Sequence, residues 1–486
     1  MFLKNFWQKL DRFDRTLVII LIVSFLVRIF FVFFPRVIGW DEAVYLNLGK
    51  QLSANPFSYT LLHSHWKDFA PLWVKGIYNW PNIGFRAPLL PYSIALFYFL
   101  RLGVFVPFIV PIFSTISIWL VYILCKNLFN KKTALYSAAI FSLTPIVVCI
   151  GQKVWTESVG LFFVLATVVF FWLGFEKGKN KHKILFGVFY ALSIFGRYTS
   201  LWMAPVFLLY FIVRDGSLKF LKDKYLWYAV IVFFAIIFPW LVYGFLTYGN
   251  PIGPFIHGIT ATTYFGGVQP WYFYLTESWL DFSIVGIVLM LSLIYIIIKK
   301  EFKNRGVYFL LIWLTVIFII ASYVSHKEGR YIVLLVPAVA LLSGYLLDQI
   351  RFGLVATLVV IAILGASVFG LVKNVYRWDV SSPESFCYRQ GITQIKNFES
   401  DAVVLARQSP VVYYYTGKSS IFYPDPWNFE EVLRSIGSNQ NIPFYVFYSN
   451  YEVSEDSQIK KDFDSNFDSI WQCQQKWGNS VIYKVH

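Results

Sequence analysis

Apolar runs of about twenty residues, separated by short basic loops, recur along most of this chain, and a bilayer-spanning helix needs a run of that length. They cover Thr16–Phe34, Val104–Cys125, Thr133–Ile150, Ser158–Phe175, Lys224–Leu246, Phe282–Ile298, Gly306–Tyr323, Tyr331–Leu347 and Phe352–Val372. The stretch Ile184–Val213 is too long for one span, and Gly196-Arg197 divides it in two. Composition agrees: 57% of the residues are hydrophobic and only 14% charged, where a soluble domain carries about a quarter. The 18 Trp and 32 Tyr suit headgroup level, where a ring stays apolar and its polar tip stays wet. The net charge of +15 sits in loops between apolar runs, which argues against nucleic acid. No cleavable signal peptide is expected, because Thr16–Phe34 is long and no small-residue cleavage site follows it. The expected fold is an all-α polytopic membrane protein of about eleven transmembrane helices with a small C-terminal extracytoplasmic α/β domain.

Charge fixes the expected orientation. Pro88–Leu102 is apolar but short. If it does not cross, the clusters around Lys131, Lys181, Lys222 and Lys303 all share the side of the basic N-terminus, which is the positive-inside pattern. It is therefore read as an interfacial or re-entrant helix. The N-terminus is then cytoplasmic, the host membrane the cell (plasma) membrane, and the tail external. The expected domains are a transmembrane domain over 1–372, with a long first external loop over 35–102, and a soluble domain over 373–486. In the latter, Ala402–Ala406, Ser420–Tyr423 and Pro443–Tyr448 read as strands and Trp427–Ile436 as a helix. Cys387 and Cys473 both fall in this domain, where a disulfide can form. Cys125 and Cys149 lie in apolar runs as packing residues.

Candidate chemistry gathers on the external side. Asp41 and Glu42 stand just beyond the first span; partial desolvation there raises carboxylate basicity and suits a general base. Equally, an acidic pair can open a helix, where the dipole favours it. Glu157 opens the fourth span and reads as a site carboxylate, or else Thr156 or Glu157 simply caps that helix. Arg197 sits where two short helices meet, so it needs a partner: an anionic phosphate, or a structural carboxylate such as Glu157. Lys327 and Arg330, beside His326 and Tyr331, can hold a phosphate or can snorkel to the interface, and Arg28 inside the first span faces the same choice. His63, His65 and Asp68 make a weak metal signal, so no cofactor is expected and a divalent metal has little support. No phosphate-binding Gly-Lys-Ser/Thr loop, dinucleotide fingerprint or Cys-x-x-Cys occurs. No cytoplasmic loop is long enough to bind a soluble nucleotide sugar, which favours a donor already in the membrane.

In their order along the chain these residues resemble the lipid-phosphate-dependent glycosyltransferases of the GT-C fold, above all the protein O-mannosyltransferases and the aminoarabinose transferases of lipid A. Asp41-Glu42 is similar to their acidic pair. Arg86-Ala87-Pro88-Leu89 is similar to a His-Pro-Pro-Leu segment, with Arg86 and Ala87 in place of His and Pro. Glu157 resembles the second acidic site, Gly196-Arg197-Tyr198-Thr199 a basic turn, and His326 to Tyr331 the entry to a late span. The resemblance implies a polyprenyl- or dolichyl-phosphate sugar as donor and inversion at the anomeric carbon. It implies Asp41 as general base, Glu42 and Glu157 as carboxylates that orient Asp41 or the acceptor, and Arg197, Lys327 and Arg330 on the phosphate; Arg28, Tyr198, His326 and Tyr331 are read as further substrate-binding residues, and Arg86 by its position alone. The acceptor is a protein, lipid or glycan. Rival readings are a secondary transporter or lipid flippase, which should show paired halves, and a transferase of diphosphate-linked oligosaccharides.

Overall fold

The computed structural model describes residues 10–34, 36–61, 82–258, 268–277, 282, 284–350, 353–372, 381–422, 428–430, 433 and 442–485. The chain forms two compact units. One comprises Met1–Phe30, Arg86–Leu90 and Pro107–Leu371; the other comprises Phe31–Phe85, Pro91–Val106 and Val372–His486.

The first unit is a helical bundle, with helices at the positions of the apolar runs. Gly103–Leu128, Thr156–Glu176, Lys224–Tyr248, Arg305–Tyr323 and Gly329–Gln349 are each long and apolar enough to cross a bilayer. Lys131–Leu143 and Pro145–Gln152 make a sixth if the bent pair is one span. Helices also occur at Arg12–Arg28, Asn180–Gly196, Met203–Asp215, Ile284–Lys299 and Gly353–Leu371, the first four of them 17, 17, 13 and 16 residues long, so five or six helices among the described residues meet the length of a span rather than eleven. Ile231, Phe234 and Phe238 on Lys224–Tyr248 are 57–63% exposed, a surface that only hydrocarbon leaves without penalty. The chain is an integral membrane protein.

Two departures from the apolar pattern have local causes. The run Thr133–Ile150 is bent by 59° at Thr144-Pro145, because the proline ring cannot continue the preceding helix but fits the first turn of a new one. The long run ends its first helix at Gly196, passes through a short 3-10 turn over Tyr198–Trp202 and resumes at Met203.

Small residues let the helices close. A Cβ on Gly187 would meet the Ala229 carbonyl oxygen at 2.2 Å, and one on Gly344 would meet Ser137 Oγ at 2.1 Å. Such close approaches substitute for a hydrophobic driving force, which lipid does not supply. Ion pairs tie the basic loops together at one end of the bundle. Lys131 pairs with Asp11, Lys132 with Asp348 at 2.9 Å, and Glu176 accepts from Arg214 at 2.9 Å and Arg305 at 3.1 Å. Thr156–Glu176 runs from that end to the other, its 21 residues covering about 30 Å at 1.5 Å per residue.

The second unit holds a five-stranded sheet in the order β2-β1-β3-β5-β4. β1 (Val403–Ala406), β2 (Ser419–Ile421) and β3 (Phe444–Ser449) are parallel, near the positions the sequence suggests. β4 (Asp468–Gln474) and β5 (Asn479–Lys484) add an antiparallel hairpin that the sequence reading lacked. Cys387 on the helix Pro383–Ile395 is disulfide-bonded to Cys473 on β4, with Cα atoms 5.5 Å apart. The helix expected over Trp427–Ile436 lies mostly outside the described residues. The segment that follows the first helix belongs to this unit too: Val37 and Ala43 enter one core with Tyr388, Val404, Val411 and Phe447. Leu89–Phe99, read as a non-crossing segment, is a helix of 11 residues, too short to span.

Candidate functional site

In the helical unit the site is built where Thr156–Phe171 packs on Asn180–Gly196. Gly160 and Gly196 make that crossing close: a Cβ on Gly160 would lie 2.6 Å from Arg197 Cβ, and one on Gly196 would lie 2.8 Å from Gly160 Cα. The crossing brings Arg197, the residue after the second helix, onto Glu157 in the first turn of the other. Arg197 Nη1 and Glu157 Oε1 form a close ion pair, with side chains 11% and 3% exposed. Glu157 is therefore no helix cap: Trp155 holds the cap position, and its side chain makes no capping hydrogen bond. Breaking such a buried pair from one side costs about 3–5 kcal/mol, because the remaining charge stays desolvated.

A second arginine converges on the same carboxylate. Arg330 Nε lies 3.5 Å from Glu157 Oε1 and 2.5 Å from Glu328 Oε2. Aromatic faces hold both cations in place. The Arg330 guanidinium sits 4.6 Å from the Trp155 ring centre, and that of Arg197 5.5 Å from the Tyr331 ring centre. Glu328 is the more open carboxylate, its side chain 36% exposed, and it also accepts from His326 Nε2 at 3.0 Å and from the Tyr331 hydroxyl at 3.2 Å. Two buried polar atoms at this cluster have no hydrogen-bond partner among the described residues: Trp155 Nε1 and His326 Nδ1.

The other candidates in this unit take different places. Lys327 is 3% exposed, and its ammonium donates to the carbonyls of Gln269 at 3.0 Å and Val324 at 2.6 Å. Its amide donates to Gln269 Oε1 at 2.9 Å, so it latches the segment 268–277 onto this loop, and burial lowers its pKa. Arg28 is 1% exposed and donates to Ser114 Oγ at 2.7 Å and to the carbonyls of Ser24 and Ser142 at 3.1 and 3.2 Å. That is a buried seat rather than outward snorkelling. The Tyr198 hydroxyl accepts from Trp240 Nε1 at 2.8 Å and lies 3.5 Å from the Arg86 carbonyl.

In the sheet-containing unit, Asp41 and Glu42 open the helix Trp40–Ala54. The two carboxylates have different surroundings. Glu42 is 1% exposed, accepts the Gly39 amide at 3.0 Å, and takes a two-pronged ion pair from Arg36 at 2.7 and 2.5 Å. It does the work of a helix start. Asp41 is only partly buried. The helix is held on the α/β layer: Asn47 Nδ2 donates to the Pro410 carbonyl at 2.9 Å, the Tyr415 hydroxyl to the Arg36 carbonyl at 3.2 Å, and Trp40 meets Phe422 edge-on at 5.8 Å. Arg36 was not singled out from sequence, because one arginine at a span end reads as an interfacial cation. Among the described residues no three His, Cys, Asp or Glu gather as a metal site; His63, His65 and Asp68 lie outside them.

Comparisons with known proteins agree on the fold. Residues 86–243 match the family model described as dolichyl-phosphate-mannose-protein mannosyltransferase. The chain is similar to ArnT from Cupriavidus metallidurans in the apo state, with a TM-score of 0.69 at 13% identity over 96% of this chain and 97% of that one. The same protein bound to undecaprenyl phosphate aligns with a TM-score of 0.67 at 12% identity over 97% of each chain. Archaeal oligosaccharyltransferase AglB from Archaeoglobus fulgidus, in complex with an inhibitory peptide and a dolichol-phosphate, aligns at 0.61 with 14% identity over 96% of this chain and 74% of that one. An uncharacterized protein of Aquifex aeolicus (strain VF5) is 25% identical over 236 residues, and the match spans 46% of that curated relative and 47% of this chain.

Proposed function

We propose, proceeding from the GT-C glycosyltransferase fold that this chain has, that it moves a sugar from a polyprenyl or dolichyl monophosphate carrier to an acceptor hydroxyl on the extracytoplasmic face. The observation that carries the reading is the pair Arg197 and Arg330 converging on Glu157 at the end of the bundle opposite the basic loops. Guanidinium groups suit a phosphate leaving group, since the planar fork matches its oxygens. ArnT in complex with undecaprenyl phosphate and AglB in complex with a dolichol-phosphate support a lipid phosphate as the group bound.

In this mechanism Asp41 accepts the proton of the acceptor hydroxyl. The oxygen attacks the anomeric carbon while the bond from that carbon to the phosphate oxygen breaks, so configuration inverts. The electron pair leaves on the lipid phosphate, whose growing charge the arginines stabilise. Glu42 and Arg36 fix the helix start that presents Asp41, and Glu157 orients the arginines. A diphosphate-linked oligosaccharide donor is the second reading, supported by the likeness to AglB. A transporter or flippase has only the number of helices in its favour.

Asp41→Asn tests the assignment. Its amide cannot take the proton, so turnover should fall by at least about a hundredfold while the melting temperature stays at the wild-type value. Turnover within a few-fold of wild type would remove Asp41 from the chemistry.

A further inference from the structure

Three donors converge on the carboxylate of Glu328: Arg330 Nε at 2.5 Å, His326 Nε2 at 3.0 Å and the Tyr331 hydroxyl at 3.2 Å. A guanidinium, an imidazole and a phenol around one anionic group form an oxyanion receptor, and the sequence supplies its occupant two residues before the arginine. That occupant is the most open charged member of the cluster. The Glu328 side chain is 36% exposed, against 17% for Arg330, 15% for His326 and 3% for Glu157. Beside it, Trp155 Nε1 is a buried donor with no acceptor, and its ring supports the Arg330 guanidinium. A buried N–H without a partner is costly and calls for an acceptor oxygen that the described residues do not provide.

We propose that Glu328 is an internal stand-in for the phosphate of the lipid carrier: it holds the Arg330, His326 and Tyr331 donors in place when the site is empty and yields them to the phosphate on binding. The inference rests on the lipid-phosphate reading above and makes Glu328 a residue that sets affinity rather than a catalytic one. Arg330 and Arg197 both lie against Glu157, and Glu328 adds a second carboxylate on Arg330. A phosphate entering the receptor displaces the carboxylate toward water, to which it is already partly open. It also brings the extra oxygens that Trp155 Nε1 can use. Binding is therefore an exchange of one anion for another, which keeps the affinity for the spent lipid phosphate low and lets product leave.

The test measures binding of undecaprenyl phosphate to the purified full-length chain in detergent, with undecaprenol as the phosphate-free arm and inorganic phosphate as the lipid-free arm. Glu328→Gln should bind undecaprenyl phosphate roughly tenfold more tightly than wild type, since the competing anion is gone. Glu328→Asp, shorter by one methylene, should fall between them. Undecaprenol binding should be unchanged in all three. Glu277→Gln removes an exposed carboxylate elsewhere on the loop segment and should leave affinity unchanged, which separates the stand-in from a general change in charge. In turnover, Glu328→Gln should lower KM for the donor and lower kcat, because product release slows. Equal or weaker binding by both Glu328 variants, with wild type binding normally, overturns the stand-in and leaves the proposed function standing. Failure of every form, wild type included, to prefer undecaprenyl phosphate over undecaprenol overturns both.

Discussion

Arg330 is where charge and geometry make the sharpest demand on a single side chain. It meets two carboxylates and an aromatic face, so a lysine in its place keeps the charge but loses the fork. Arg330→Ala should lower kcat/KM by roughly ten- to a hundredfold, the loss of one charge-assisted hydrogen bond to the leaving phosphate, and Arg330→Lys should recover part of it. Full activity of the lysine variant would mark a cation that only snorkels. In the sheet-containing unit, burial pushes Glu452 up to about 8, against the lesser pull of Tyr388, Arg407 and the Gln408 amide. The folded state thus prefers the protonated acid. Its stability is greatest below the ordinary value of 4.5 and declines as pH rises towards about 8, because the unfolded chain has already released the proton. Melting curves should show the chain less stable at about pH 9 than at about pH 5, and Glu452→Gln should abolish that part of the difference. A Gln variant with the same pH slope as wild type would contradict it. Sequence carried the Glu157–Arg197 pairing as one of two open alternatives, since a charge sunk between helices must find a partner. It carried no sign of how Glu42 would be used: the Arg36 pair depends on a turn whose geometry composition does not encode.

At the scale of elements, the crossing of Thr156–Phe171 with Asn180–Gly196 is the part on which the arginine cluster depends. Gly160→Ala would set a methyl against Arg197 Cβ and its amide, neither of which is a flexible chain end. We expect a loss of about 1–3 kcal/mol in stability together with a loss of donor affinity, as the helices part and Arg197 leaves Glu157. The control is Gly286→Ala in Ile284–Lys299, where the nearest atom would be 3.8 Å away. There the better helix former should be neutral or stabilise by up to about 1 kcal/mol. Equal effects of the two substitutions on donor affinity would deny the crossing its role. Helix positions were legible because hydrocarbon demands long apolar runs whatever they pack against. The bend at Thr144-Pro145 was harder to see, since Val147 and Ile150 keep the run apolar through it. β4 escaped because it is a largely exposed polar edge strand with a bulge between Ser469 and Trp471, so no buried alternation marks it.

At the scale of the whole molecule, the assembly of the segment after the first helix with the C-terminal sheet was the least legible feature. Asn47 and Pro410 are 363 positions apart, and their hydrogen bond leaves no local trace in either segment. The basic loops, by contrast, announced their common end through charge alone, and the ion pairs among Asp11, Lys131, Lys132 and Asp348 gather there. Orientation is checked by labelling in intact cells. Cysteines introduced near Lys131, Lys181 and Lys303 should be shielded from an impermeant thiol reagent, and one at Asn428 should react; labelling near Lys181 from outside would reverse the scheme. The claim on which the rest depends is that the donor is a lipid monophosphate sugar. Membranes containing the wild-type chain or Asp41→Asn should be incubated with a panel of radiolabelled sugars linked to undecaprenyl or dolichyl monophosphate, alongside diphosphate-linked and nucleotide-linked forms. The account predicts transfer from a monophosphate-linked sugar, with release of the free lipid phosphate and loss of both in Asp41→Asn. Transfer from the diphosphate- or nucleotide-linked form alone would contradict it.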